Sequence, residues 1–429
     1  MKVCVQGLWH LGTVTAACLA EAGFATVGLA DDKAEAAALA GGKAPLFEPG
    51  LDDLLRAGLA GGGLRFTADA AAAVADADVV WVAYDTPVDD DDRADVGYVT
   101  SRIARLFPHL REGAVVLVSS QLPVGTLRTV EERFAAAGGG RRVAFACSPE
   151  NLRLGKAIEV FRHPERVVVG LRDEAAKPVL AALFAPFCDT VLWMGVESAE
   201  LSKHALNAFL ATCVTFINEV ATVAEQVGAD AAEVERALRS EPRIGPNAYI
   251  RPGAAFAGGT LARDVAFLDA VAGRLGLHLD MIGSILASNR RHGGWPARRL
   301  RESWGDLKGR TVTVLGLAYK PGTDAVRRSL SVALVRDLCA AGARVRAFDP
   351  KVAELAEPPE GLVMAASALD ALEGAEALVL MTEWPEFREI APSEVLGRMR
   401  TPLVLDANGF LKDLAADARV VTLTIGKSL

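Results

Sequence analysis

Short runs of β-branched and aliphatic residues alternate with alanine-rich stretches of helical spacing through the first third of the chain. Residues 3–6, 26–30, 79–83, 114–119 and 143–147 read as strands, and their alternation with helices predicts a parallel sheet covered on both faces. The run 166–170 reads as the strand that closes this sheet. From 197 to 227, Leu201, Leu206, Phe209, Leu210, Val214, Ile217 and Val220 recur at helical spacing without a break. That pattern predicts one helix of more than about 40 Å, long enough to join domains or carry a subunit interface. Further helices are expected up to about Ser303, after the Gly- and Pro-containing stretch 242–259. A second α/β pattern then begins, with strands at 311–315, 343–348, 377–381 and 403–405 and a helix at 329–341. The fold class is therefore α/β, with two Rossmann-like doubly wound domains joined by a long central helix and a helical middle domain. The expected boundaries are 1–190, 191–304 and 305–429.

Composition narrows the partners. The formal net charge is −8, and Lys and Arg form no cluster, which argues against nucleic acid or an anionic membrane as a main partner. The amino terminus enters a strand rather than a signal sequence, so a cytoplasmic location is expected. Cys4, Cys18, Cys147, Cys188, Cys213 and Cys339 are scattered, with no CxxC pair and no His at ligand spacing. They read as reduced, buried small hydrophobes, and no metal is expected.

Candidate chemistry begins at the first turn, Gly7-Leu8-Trp9-His10-Leu11-Gly12. In a dinucleotide site the first Gly makes the turn, the second lets backbone approach the pyrophosphate, and the third lets helix pack on strand. Trp9 stands at the second place, yet a pyrophosphate can still face the helix amino terminus. Asp31, after the second strand, is placed to bond the adenosine ribose hydroxyls, which favours NAD over NADP. The turn alone also fits a Rossmann fold that binds no dinucleotide. Lys203 and Asn207 lie four residues apart on one helix face, where an ammonium and an amide can stabilise an alkoxide or order a water. Two small-residue loops, 252–264 and 316–324, let backbone approach a ligand closely. Lys320, Arg327 and Arg328 near the second suit a diphosphate.

The chain resembles the UDP-glucose/GDP-mannose dehydrogenase family over nearly its whole length. The resemblance rests on Glu48-Pro49-Gly50-Leu51, Thr86-Pro87, Pro123-Val124-Gly125-Thr126, Pro149-Glu150 with Arg153 and Gly155, and Pro164-Glu165-Arg166-Val167. It continues through Glu200-Leu201-Ser202-Lys203, Asn207-Ala208-Phe209-Leu210, Asn218-Glu219, Gly316 to Lys320 with Thr323-Asp324, and Thr382-Glu383-Trp384-Pro385. It implies NAD on the first Rossmann domain, a nucleotide sugar against the last, and a homodimer through the central helix. It also implies oxidation of a primary alcohol to a carboxylate in two hydride transfers, through a thioester on a cysteine. By resemblance, Lys203, Asn207 and Asp264 form the oxyanion and water-positioning group, and Glu150 is an acid/base candidate. Gly7, Trp9, His10, Leu11, Gly12, Asp31, Thr86, Pro87 and Gln121 would meet the cofactor. Arg153, Arg243, Tyr249, Phe256, Gly258, Gly259, Tyr319, Lys320 and Arg327 would meet the substrate, with Arg243 reaching a neighbouring subunit's site.

The departures from the family pattern are selective. Thr260 stands where the family carries its nucleophilic cysteine, and a threonine hydroxyl has no thiolate character near neutral pH. Leu154 replaces the second glutamate of the Pro-Glu-Phe-Leu-x-Glu-Gly stretch, which serves thioester hydrolysis, and Gln121 replaces a threonine. The groups for hydride transfer remain. This combination predicts a single two-electron oxidation of a secondary alcohol, such as C6 of a nucleotide-linked heptose or octose. Two alternatives stay open at this point. One is a four-electron UDP-sugar 6-dehydrogenase with a displaced nucleophile, for which Cys213 is the candidate. The other is a non-catalytic nucleotide-sugar-binding protein, since Trp9 and Asp85 could crowd or repel the dinucleotide.

Overall fold

The computed structural model describes residues 1–87, 89, 94–137, 140–150, 152–257 and 259–428. The chain divides into two units, Met1–Ala205 and Leu206–Leu429. In the first, strands β1 (Lys2–Gln6), β2 (Ala25–Leu29), β3 (Leu64–Thr67), β4 (Val79–Val82), β5 (Val115–Val118), β6 (Ala144–Cys147), β7 (Val167–Leu171) and β8 (Val191–Met194) form one sheet in the order β3-β2-β1-β4-β5-β6-β7-β8. Helices α1 (His10–Glu21), α2 (Lys33–Ala40), α3 (Leu51–Ala60), α4 (Ala70–Val74), α5 (Val96–Leu106), α6 (Thr126–Ala136), α7 (Ala157–Arg162) and α8 (Lys177–Phe184) accompany it. Alternate residues of each strand feed different cores, which is why the central strands are apolar throughout. Val3, Val5, Val79, Trp81, Val115 and Leu117 enter one core, while Cys4, Val80, Val82, Val116 and Val118 enter the other.

The strand expected to close this sheet does not do so. β7 pairs antiparallel to β6, through Ala146↔Leu171 and Cys147↔Gly170, and β8 continues the sheet parallel to β7. A buried apolar run marks a strand but carries no sign of its direction, so the expectation of a wholly parallel sheet is corrected here.

The long helix α9 (Val196–Val227) has 32 residues, about 48 Å at the α-helical rise, and the divide between units falls within it. By length and composition alone it would suffice to cross a bilayer. Its buried carboxylates identify a core helix instead. Glu200 accepts from the N–H groups of Gly125 (2.7 Å) and Leu127 (3.0 Å) at the start of α6. Glu225 accepts from Trp295 Nε1 (2.7 Å) and Gly426 N (3.0 Å).

The second unit continues with α10 (Ala231–Ser240), α11 (Thr260–Arg274), α12 (Asp280–Gly293) and α13 (Trp295–Trp304). Its sheet comprises β9 (Thr311–Leu315), β10 (Arg344–Phe348), β11 (Leu362–Met364), β12 (Ala377–Leu380), β13 (Leu403–Asp406) and β14 (Val421–Leu423), with helix α14 (Leu330–Ala340) following β9. All the strand pairs are parallel, in the order β11-β10-β9-β12-β13-β14. Both sheets thus reverse direction beside their first strand, and such a switch point opens a crevice at the strands' carboxyl ends.

Candidate active site

In the first unit, β1 runs into Gly7, whose φ of +91° only glycine holds without strain. A Cβ there would lie 2.6 Å from Tyr84 N, and one on Gly12 would lie 2.0 Å from Gly7 O. The turn, the start of α1 and the segment after β4 are therefore closed on one another. Trp9 is the N-cap of α1 and 51% exposed, so its indole is not packed into the turn. The first backbone N–H groups of α1 form an anion seat suited to a pyrophosphate. Asp31 follows β2, and the Thr86 hydroxyl donates to Gln121 O (2.7 Å), tying the segments after β4 and β5 together. Gly7, His10, Leu11, Gly12, Asp31, Thr86, Pro87 and Gln121 thus gather at the carboxyl ends of β1, β2, β4 and β5. The close packing at Gly7 and Gly12 sets the first N–H groups of α1 at this edge of the sheet, a donor set that fits a dinucleotide's pyrophosphate.

Buried Glu48 fixes the floor of this region. Its carboxylate accepts from His10 Nε2 (2.9 Å), Gly155 N (2.7 Å) and Ala157 N (2.8 Å). One side chain therefore joins the start of α1 to the segment that carries Arg153 and Leu154. Both of those residues are exposed.

Glu150 follows β6 and lines a small cavity with Ser120, Gln121, Cys147, Glu200, Lys203 and His204. Burial pushes its carboxyl above the usual carboxylate range, and the Lys203 ammonium and the Leu152 N–H oppose that shift. Lys203 Nζ donates to Glu150 O (2.8 Å). His204 Nε2 lies 3.1 Å from Leu122 O. The result is a carboxyl whose proton affinity burial raises and a fixed ammonium moderates, a combination that suits an acid/base group.

In the second unit, Asn207 Nδ2 donates to Asp264 Oδ2, and both groups are buried. Thr260 is the first residue of α11 and is exposed, next to Gly259 at φ +136°. Gly258 lies outside the described residues. Cys213 sits six residues past Asn207, about 120° around the helix, and burial raises its thiol above the ordinary value. That is the wrong direction for a nucleophile.

A cleft of about 640 Å³ opens in this unit, lined by Arg239, Tyr249, Arg251, Phe256, Arg388 and Phe410 among others. Three asparagines hold its loop by the backbone. Asn218 Oδ1 accepts from Gly253 N (3.0 Å), Asn408 Oδ1 accepts from Ala254 N (2.8 Å), and Asn289 pairs with both N and O of Phe256. A Cβ on Gly253 would meet Asn408 Oδ1 at 2.4 Å, so a side chain there would displace the amide that holds Ala254 N. The Arg388 guanidinium lies 4.0 Å from the centroid of the Phe410 ring. Cations with flat apolar faces suit a nucleoside diphosphate. Tyr249 and Phe256, expected from sequence, are in this cleft. Tyr319 lines a neighbouring cavity with Thr382 and Glu383, and Lys320, Arg327 and Arg243 are exposed. Arg243 pairs with Glu241 (2.8 Å).

Three family models match the chain in order. These are the NAD binding domain of the UDP-glucose/GDP-mannose dehydrogenase family over 1–188, its central domain over 197–291 and its UDP binding domain over 313–413. The chain belongs to this family. It is 39% identical to a UDP-glucose 6-dehydrogenase of Pseudomonas aeruginosa, over 99% of this chain and 96% of that one. It is 35% identical to one of Rhizobium meliloti, over the full length of both. The solved UDP-glucose dehydrogenase of Pyrobaculum islandicum matches with a TM-score of 0.82 and 31% identity, over 96% of this chain and 95% of that one. As a member of the UDP-glucose/GDP-mannose dehydrogenase family, the protein is an NAD-dependent nucleotide-sugar dehydrogenase, and the non-catalytic alternative is set aside. Sequence reading missed Arg239, Arg251, Arg388, Phe410 and Lys412 in the cleft. Arg388 lies three residues past the Thr382-to-Pro385 motif, and that proximity was the one available signal.

Proposed function

We propose that the protein oxidises a secondary alcohol of a nucleotide-linked sugar, the C6 hydroxyl of a heptose or octose, to a ketone in one two-electron step. The observation that carries this reading is Thr260, an exposed hydroxyl at the head of α11 where the family has its nucleophilic cysteine. Leu154, 51% exposed, supports it by lacking the carboxylate that serves thioester hydrolysis. NAD, held by the turn after β1 and by Asp31, would supply the acceptor for the hydride that leaves the carbinol carbon. Glu150 takes the hydroxyl proton, directly or through a water, because burial has already raised its affinity for one. Lys203 supplies positive charge to the developing alkoxide, and Asn207 and Asp264, a buried pair within the second unit, are given the water-positioning role by the family resemblance. A ketone has no carbonyl hydrogen to lose in a second oxidation, so neither a thiol nor a thioester is needed.

Arg239, Arg251, Arg388 and Lys412 hold the diphosphate, and Tyr249, Phe256 and Phe410 face the nucleoside. Arg153, Tyr319, Lys320 and Arg327 complete the substrate contacts, while Arg243, with an 88% exposed side chain, reaches the substrate of a second copy. The six free thiols fit a reducing cytoplasm. The test is a panel of nucleotide sugars, including heptose and octose derivatives, assayed for NADH formed per sugar and for product mass. One NADH and a ketone are expected. Two NADH and a carboxylate would assign the four-electron reaction instead.

A further inference from the structure

The Asp31 carboxylate, expected to face the adenosine ribose, is held by two donors from the segments beyond β4. Asp31 Oδ1 accepts from the Tyr84 hydroxyl (2.5 Å), and Asp31 Oδ2 accepts from Arg102 Nε (3.1 Å). Tyr84 is buried, and it reaches this place because Gly7 has no Cβ to block it. Tyr98 and Arg102 stand four residues apart on α5, hence on one face. The Arg102 guanidinium lies 3.5 Å from the centroid of the Tyr98 ring, and its Nη1 donates to Tyr98 O (3.2 Å). The Tyr84 and Tyr98 rings pack edge to face at 5.7 Å. The arginine is thus fixed, with only 19% of its side chain exposed.

An ionised carboxylate offers about four lone-pair sites. Tyr84 and Arg102 occupy two of them, which leaves acceptors on both oxygens for the 2′- and 3′-hydroxyls of NAD. A 2′-phosphate would bring roughly −1.5 to −2 charge against Asp31. A guanidinium and a phenolic O–H are also the donors that a 2′-phosphate needs. We propose that Tyr84 and Arg102 form a ready-built 2′-phosphate site, which the Asp31 carboxylate between them keeps neutralised and so closed to NADP. Tyr84 and Arg102 are then positioning residues in the natural protein and ligands once the carboxylate is gone. The inference concerns the cofactor and stands whichever sugar is oxidised.

The test measures binding by calorimetry, with ADP-ribose, its 2′-phosphate and nicotinamide mononucleotide as probes. The native protein should bind ADP-ribose and discriminate against the 2′-phosphate. Asp31→Ser should move the preference toward the 2′-phosphate by about 100-fold or more, since like-charge juxtaposition costs several kcal/mol and each 1.4 kcal/mol is tenfold. Asp31→Asn, which keeps the side-chain shape, should move it in the same direction and guards against a folding defect in the serine variant. Adding Arg102→Ala should abolish the gain, and adding Tyr84→Phe should reduce it by about tenfold. Nicotinamide mononucleotide, which does not reach Asp31, should bind all variants equally. A shift below tenfold in both Asp31 variants, or a gain that survives Arg102→Ala, would overturn the proposal. So would native protein that binds neither form of ADP-ribose.

Discussion

Glu150, the proposed base, illustrates how a buried carboxyl works against its own fold. Because burial raises its carboxyl pKa, the folded protein holds a proton that the unfolded chain has already released over the pH window between the two values. Stability from this group therefore falls as pH rises through that window, and above it the ionised carboxylate is a net cost. Glu150→Gln should consequently melt higher than the natural protein at pH 7, while turnover drops by about 10²-fold or more. Thermal melts and NADH formation on the same samples check both signs. If Glu150 is the base, the acid limb of kcat/KM should also lie above the ordinary carboxylate range. Sequence identified this residue, as it did Thr260 and Leu154, because each occupies a fixed place within a motif. The cleft's Arg251 and Phe410 were hidden for the opposite reason. An isolated arginine or phenylalanine in a loop has no local pattern, and only the folded backbone brings 251 and 410 together.

Among the elements, α1 and α7 depend on a carboxylate that belongs to neither. Glu48 is 1% exposed at its side chain and accepts two backbone N–H groups and the His10 ring. Its removal strands buried donors, each worth about 1–3 kcal/mol when unsatisfied. Glu48→Ala should therefore cost about 3 kcal/mol or more in urea unfolding, with Glu48→Gln intermediate because one acceptor oxygen survives. At this scale the sequence was legible in the interior and blank at the margins. The four strands it did not show, β3, β8, β11 and β14, are the four edges of the two sheets. Each has only three or four residues and includes half-exposed or exposed positions. An edge strand is buried on too few sides to need a continuous apolar run, so the signal that exposed β1 and β9 was absent.

For the whole molecule, α9 carries the open question of assembly. Phe209, Phe216 and Val223 recur at seven-residue intervals and are 64%, 50% and 60% exposed, an apolar stripe of the kind that partner helices cover. A dimer through this stripe is expected, and replacing both Phe209 and Phe216 with Glu should yield monomers in sedimentation velocity without loss of helical circular dichroism. The family, the cofactor and the two-sheet architecture were all readable in the chain. The direction of β7 was not, because periodicity carries no polarity.

Thr260 has a further consequence, in how such an enzyme can be poisoned. The family's usual chemistry leaves a nucleophilic sulfur open to alkylation, peroxide and soft metals. Here Cys4 and Cys18 are pushed up to about 12 by burial, and burial also raises Cys147, Cys213 and Cys339. If turnover proceeds without a thiolate, as proposed, iodoacetamide or hydrogen peroxide should leave the rate unchanged at doses that silence a cysteine-dependent relative. Turnover of that kind would be free of thiol-based control and would persist under oxidative stress.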